Sequence, residues 1–199
     1  ELGYTSDLDL VFIHNADPEQ STDGDKPIDN AVFYTRLGQR IVHILNTQTP
    51  SGQLYEVDMR LRPSGSSGLL VSTLSAFEKY QRKDAWTWEH QALARARGVA
   101  ACRETLEAFE KLRADILCQQ RDQGKLKEEV VSMREKMRTA LGTPQIEGKV
   151  PEVFHIKHDY GGIIDIEFMV QYLMLACCSE HPELTQWSDN IRQMEELGR

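Results

Sequence analysis

The sequence predicts an α+β protein, a small mixed β-sheet with a crossover helix followed by a helical bundle. Two stretches alternate with the period of a strand: Leu8, Leu10 and Phe12, then Tyr55, Val57, Met59 and Leu61. A stripe of helical period lies between them, and beyond residue 98 only helical periods remain. Strand, helix, strand is the order that a small sheet with a covering helix requires.

Leu8, Leu10 and Phe12 make the first strand, and the acidic stretch from His14 to Asn30, with its Pro and Gly, is a surface loop. Phe33, Leu37, Ile41, Ile44 and Leu45 then share one face of a helix that ends before Pro50-Ser51-Gly52. The second strand runs from Glu56 to Arg62 and stops at Pro63-Ser-Gly-Ser-Ser-Gly68, a turn through which no sheet continues. Leu69 to Val71 is a further short strand. A helix from Ser75 to Arg82, with Ser75 and Glu78 as a capping box, and another from Trp88 to Arg97 complete a first domain of residues 1–97. Residues 98–199 read as the bundle. Leu106, Phe109, Leu112, Ile116 and Leu117 form one stripe, and Val130, Met133, Met137 and Leu141 another. A loop holding Gly142, Pro144, Gly148 and Pro151 precedes an apolar helix from Ile163 to Cys178 that stops before Pro182, and a last helix begins at Ser188-Asp189.

Composition narrows the function classes. Acidic residues outnumber basic ones, 31 to 23, for a net charge of −8, which argues against a nucleic-acid backbone as the main partner. The hydrophobic fraction of 40% supports a real core. Cys102, Cys118, Cys177 and Cys178 show no Cys-x-x-Cys spacing and read as free thiols of a reducing, cytoplasmic compartment. No apolar run approaches the roughly 20 residues that span a bilayer.

The chemistry lies in Ser6-Asp7-Leu8-Asp9-Leu10 and Glu56-Val57-Asp58-Met59-Arg60-Leu61-Arg62. Alternation puts Asp7 and Asp9 on one face, and Asp58, Arg60 and Arg62 on one face. If the two strands share a sheet with these faces aligned, three carboxylates and two guanidiniums converge. Carboxylates so close repel one another unless a cation sits between them, and Mg²⁺ or Mn²⁺ suits the role because it takes oxygen ligands and leaves positions for phosphate. Asp7, Asp9 and Asp58 are the candidate metal ligands and catalytic residues. Arg60 and Arg62 suit phosphate oxygens, with pairing to Glu56 and Asp58 as the alternative. A solvated strand face is the bland reading of the Asp pair alone, but an Asp between Val57 and Met59 in a strand is unusual.

These segments, with Trp86-Thr-Trp-Glu-His-Gln-Ala-Leu-Ala-Arg-Ala-Arg97 and Gly161-Gly-Ile-Ile-Asp-Ile-Glu-Phe168, resemble the C-terminal nucleotidyltransferase half of the bacterial glutamine synthetase adenylyltransferases, in the polymerase-beta-like nucleotidyltransferase superfamily. The resemblance implies a nucleotidyltransferase core followed by a helical bundle, and transfer of AMP from ATP to a tyrosine of glutamine synthetase. Asp7, Asp9 and Asp58 would hold the metal, and Ser6, Arg60 and Arg62 the nucleotide. It also implies regulation through a PII signal protein. The deadenylylating half of the same enzyme and a silent docking domain are the rival readings. Members place a Gly-Gly or Gly-Ser element before the Asp-x-Asp strand, whose amides cradle the triphosphate. The chain opens at Glu1-Leu2, so it reads as a fragment, expected to transfer little AMP until that element is restored.

Three further groups have two readings each. Trp86, Trp88, Glu89 and Gln91 either shape a nucleotide or target pocket or pack a domain junction. Asp165, Glu167 and Lys157 around Gly161-Gly162 either reach the active site or place acids at the positive end of a helix. His155 and His158 read as surface or packing residues rather than zinc ligands.

Overall fold

A computed structural model describes residues 6–53, 55–144 and 153–198, and its contacts group into two units, Glu1–Ala85 and Trp86–Arg199. Glu1 to Thr5 and Leu54 of the two motifs, and Gly148 and Pro151 of the expected loop, lie outside the described residues.

The first unit holds strands β1 (Leu8–Asp9), β2 (Phe12–His14), β3 (Val57–Asp58) and β4 (Val71–Thr73), with helices α1 (Asn30–Leu45) and α2 (Leu74–Lys83). β1 pairs with β3 and β2 with β4, both in parallel. Parallel neighbours need a crossover, and α1 supplies it. The stretch expected as one strand from Leu8 to Phe12 is therefore two, because the chain changes partner after Asp9.

α1 approaches β4 through Gly38, its buried residue. A Cβ at Gly38 would stand 2.8 Å from Val71 Cγ2 and 3.5 Å from Phe12 Cδ2, so only glycine lets the helix backbone come this close. The stripe expected to face the core is in part exposed, with Leu37 at 43% and Ile44 at 60%. The close approach at Gly38 turns the helix away from that stripe.

The second strand is shorter than expected. The backbone N–H of Arg60 donates to Asp58 Oδ1 at 2.8 Å, and the Arg62 N–H donates to the Met59 carbonyl at 3.3 Å, so the chain turns directly after Asp58. The turn closes at Gly68, where a Cβ would lie 1.8 Å from the Pro63 carbonyl oxygen. β4 lies two residues later than expected. Its last residue, Thr73, caps α2 by accepting from the Ala76 N–H at 3.1 Å. Glu78, expected in a capping box with Ser75, instead accepts from Arg82 at 2.8 Å.

The second unit is helical: α3 (Thr87–Arg95), α4 (Arg103–Leu117), α5 (Gln123–Leu141), α6 (Ile163–Cys177) and α7 (Asn190–Leu197), with a 3₁₀ turn at Pro182–Gln186. Ile116, Leu117, Val170, Met174, Leu175 and Cys178 form its most buried core, and the Asp189 carboxylate caps α7 by accepting from the Arg192 N–H at 3.0 Å. The sequence reading divides the chain after residue 97, whereas α3 lies with the helices that follow it. Buried Arg113 explains the attachment. Its five N–H donors reach the carbonyls of Leu93, Ala94, Thr185 and Trp187 and the carboxylate of Glu110. Two of those carbonyls end α3, where a helix leaves acceptors without partners and favours a cation. Among the described residues no helix is long and apolar enough to cross a membrane.

Candidate active site

Along β1 exposure alternates, with Leu8 and Leu10 half-buried and Asp7 and Asp9 exposed, so both carboxylates stand on the open face. The Leu8 N–H donates to the Glu56 carbonyl at 2.8 Å and the Leu10 N–H to the Asp58 carbonyl at 2.9 Å. These bonds set Asp9 directly opposite Asp58. Partners in register on parallel strands show their side chains on the same face, with strands about 4.8 Å apart. Asp7 lies one alternation behind Asp9, and Ser6, half-buried, precedes it.

Arg60 sits on this group. Its Nε donates to Asp58 Oδ2 at 2.7 Å and its Nη2 forms a close ion pair with the same oxygen. The Arg60 side chain is 82% exposed and that of Asp58 14%. The side-chain hydrogen bond from Arg60 holds the Asp58 carboxyl below the usual carboxylate range, against a weaker opposing effect of burial. Reciprocally, the guanidinium is raised by its hydrogen bond to Asp58, with added pull from the charges of Asp58, Asp9 and Asp7. A single cation thus feels all three carboxylates.

Arg62 is placed otherwise. It donates through Nη1 to the Met59 carbonyl at 2.8 Å, through Nη2 to Ser66 at 3.2 Å and through Nε to Gly68 at 3.4 Å. It closes the turn that follows β3. Because the strand ends at Asp58, the alternation expected to align Asp58, Arg60 and Arg62 does not extend to the arginines.

Among the described residues no group of three or more His, Cys, Asp or Glu side chains is close enough to hold a metal ion. Mg²⁺ does not require one: it keeps waters and takes one or two carboxylates plus substrate phosphates. The hard oxygen pair Asp9 and Asp58, with Asp7 beside it, fits that demand, and Arg60 shows that the face already attracts a cation.

The other motif residues serve the helical unit. Glu89 accepts from the Trp86 N–H at 2.9 Å, capping α3, and Gln91 donates to Gln171 at 3.1 Å. Trp88 and Gln91 also line a hollow of about 160 Å³ with Met133, Met137 and Phe168. Asp165 accepts from Arg134 at 2.5 Å, from Arg138 at 3.2 Å and from the Gly161 N–H at 2.6 Å, and Glu167 accepts from Arg95 at 3.1 Å. Lys157 contributes its carbonyl to the Ile164 N–H at 3.1 Å. The His155 and His158 rings lie tilted against each other at 52° with centres 5.0 Å apart. Arg134, which donates to Asp165 and to the His158 carbonyl, was legible as a cation at four-residue spacing on the Leu126 and Val130 face, all three buried.

A family model for glutamate-ammonia ligase adenylyltransferase matches residues 1–112. The chain is similar to a bifunctional glutamine synthetase adenylyltransferase/adenylyl-removing enzyme of Hahella chejuensis, 60% identical over 198 residues that cover 100% of this chain and 21% of that protein. A protein of the same description from Pseudomonas putida is 60% identical over 206 residues, covering 99% and 21%. Another from Vibrio parahaemolyticus is 57% identical over 197 residues, covering 99% and 20%. The chain spans about a fifth of the length of these relatives. It belongs to the glutamate-ammonia ligase adenylyltransferase family.

Proposed function

We propose that this chain transfers AMP from ATP to a tyrosine hydroxyl of glutamine synthetase, with Mg²⁺ or Mn²⁺, as a part of a larger cytoplasmic enzyme that answers to a PII signal protein. One observation carries the chemistry: the register of β1 and β3 sets Asp9 opposite Asp58 on one face. The carboxylates all lie within residues 1–97, the nucleotidyltransferase core in this reading, whose last helix, α3, packs with the helical bundle of 98–199.

Asp9 and Asp58 would hold the divalent ion, with Asp7 beside them and water and triphosphate oxygens as its remaining ligands. The ion, when bound, screens the charge of the triphosphate. Asp58 also receives the acceptor: its carboxylate orients the tyrosine hydroxyl and takes its proton as the oxygen attacks the α-phosphorus. The bond to the bridging oxygen breaks in line, pyrophosphate leaves, and AMP stays on the tyrosine oxygen. Positioning and charge stabilisation supply most of the rate in such transfers. Ser6 and Arg60 line the nucleotide side, and Arg62 shapes the turn that carries Arg60. The adenylylating direction rests on the wording of the Asp7–Asp9 and Trp86–Gln91 segments.

A chimera tests the proposal. These 199 residues replace the matching segment of the Pseudomonas putida relative, and the product is incubated with α-labelled ATP, Mg²⁺ and purified glutamine synthetase. Label on the synthetase is expected. Release of label from pre-adenylylated synthetase by phosphate, without forward labelling, would assign the opposite reaction, and co-purification with no transfer would assign a docking role.

A further inference from the structure

We infer that Arg60 is the resident counter-cation of the carboxylate face, competing with the divalent ion for Asp58 and passing to the nucleotide's phosphates once that ion binds. The inference rests on the metal-site reading above and goes beyond it by ordering the two events. Three carboxylates on one face repel each other unless a cation is present, and here the cation is the chain's own. Arg60 Nε and Nη2 both reach Asp58 Oδ2, while the Arg60 N–H fixes the other oxygen at 2.8 Å. Both oxygens are then engaged. An ion that binds Asp58 through Oδ2 competes with the guanidinium for that oxygen.

The side chain is built to leave. It is 82% exposed, and it stands in a turn rather than in the strand. Arg62, two residues on, has its guanidinium fixed on three carbonyls. Only one of the two arginines can therefore exchange partners without opening the turn. Once displaced, the guanidinium keeps its planar fork a few ångströms from the metal face, and that fork matches phosphate oxygens. The ligand class is a nucleoside triphosphate carrying its divalent ion. Ion and nucleotide then bind cooperatively, since each removes a cost that the other faces alone.

Mn²⁺ binding to the 199-residue chain, followed by electron paramagnetic resonance, tests this without reference to turnover. Without nucleotide, Arg60→Ala is expected to bind Mn²⁺ about two- to fivefold more tightly than wild type, the range that loss of an exposed ion pair allows. With a non-hydrolysable ATP analogue the order reverses, because the variant lacks the phosphate contact. Circular dichroism should be unchanged for so exposed a residue. Equal Mn²⁺ affinity of wild type and Arg60→Ala, with Asp58→Asn clearly weaker, would overturn the exchange and leave the metal site standing. No saturable Mn²⁺ binding to wild type would overturn both.

Discussion

Asp9 and Asp58 meet because two backbone hydrogen bonds fix one register, and a shift by one residue would turn Asp58 to the other face. Asp9 is exposed, so Asp9→Asn should change stability by no more than about 0.5 kcal/mol. It should weaken Mn²⁺ binding by roughly tenfold or more, since even outer contacts of a metal site cost that much. Thermal melting and Mn²⁺ titration check the two halves separately. The acidic pattern was legible in the sequence. The role of Arg62 was not, because its partners are backbone carbonyls, which no side-chain pattern reveals. Histidines give a pH signature. Burial lowers the pKa of His14 in the first unit, and of His158 in the second, where the charges of His155, Lys157 and Arg134 add to burial. Such a histidine binds its proton more readily in the unfolded chain, so stability rises with pH until the unfolded value, near 6.5, is passed. The melting temperature should hold above pH 7 and fall as pH drops through 6.5 towards each lowered folded value. His14→Phe, which keeps the stack on Tyr34, should flatten part of that fall. An unchanged slope would remove His14 as its source.

Elements show where patterns succeed and where they stop. Helix extents follow the apolar spacing closely, although the α1 stripe is in part exposed, and the last helix starts at the Asp189 cap. Strands two or three residues long leave too few alternations to place their ends, which is why β4 and the break after Asp9 were misplaced. Gly38 was equally silent in the stripe, yet it sets how α1 meets β4. Gly38→Ala gains about 1 kcal/mol of helix propensity but drives its methyl to 2.8 Å from the stiff Val71 side chain. Overpacking of this kind costs about 1–3 kcal/mol, so urea denaturation should show a net loss. In a Val71→Ala background the same change should become neutral or stabilising. In the helical unit, Arg113→Ala should cost about 3–5 kcal/mol, because it strands four carbonyls on two segments, the end of α3 and the stretch from Thr185 to Trp187. Arg113→Lys should recover little, having a point charge in place of five fixed donors.

For the whole molecule, family membership rests on 112 matched residues and on relatives near 60% identity, whereas the chemistry rests on one face of one parallel strand pair. The helical unit absorbs the Trp86–Gln91 and Gly161–Glu167 segments into its own hydrogen bonds, the packing and helix-entry readings that the sequence offers beside a role in the active site. Long-range ties such as Gln91 to Gln171 and Arg134 to Asp165 are invisible to local pattern. The direct measurement is AMP transfer to glutamine synthetase by the chimera and by its Asp9→Asn, Asp58→Asn and doubly substituted forms. If the opposed carboxylates act as a unit, each single change should lower the rate by about a hundredfold or more, and the double change should cost little beyond that. Transfer at the normal rate by either single variant would contradict the carboxylate pair as the centre of this chemistry.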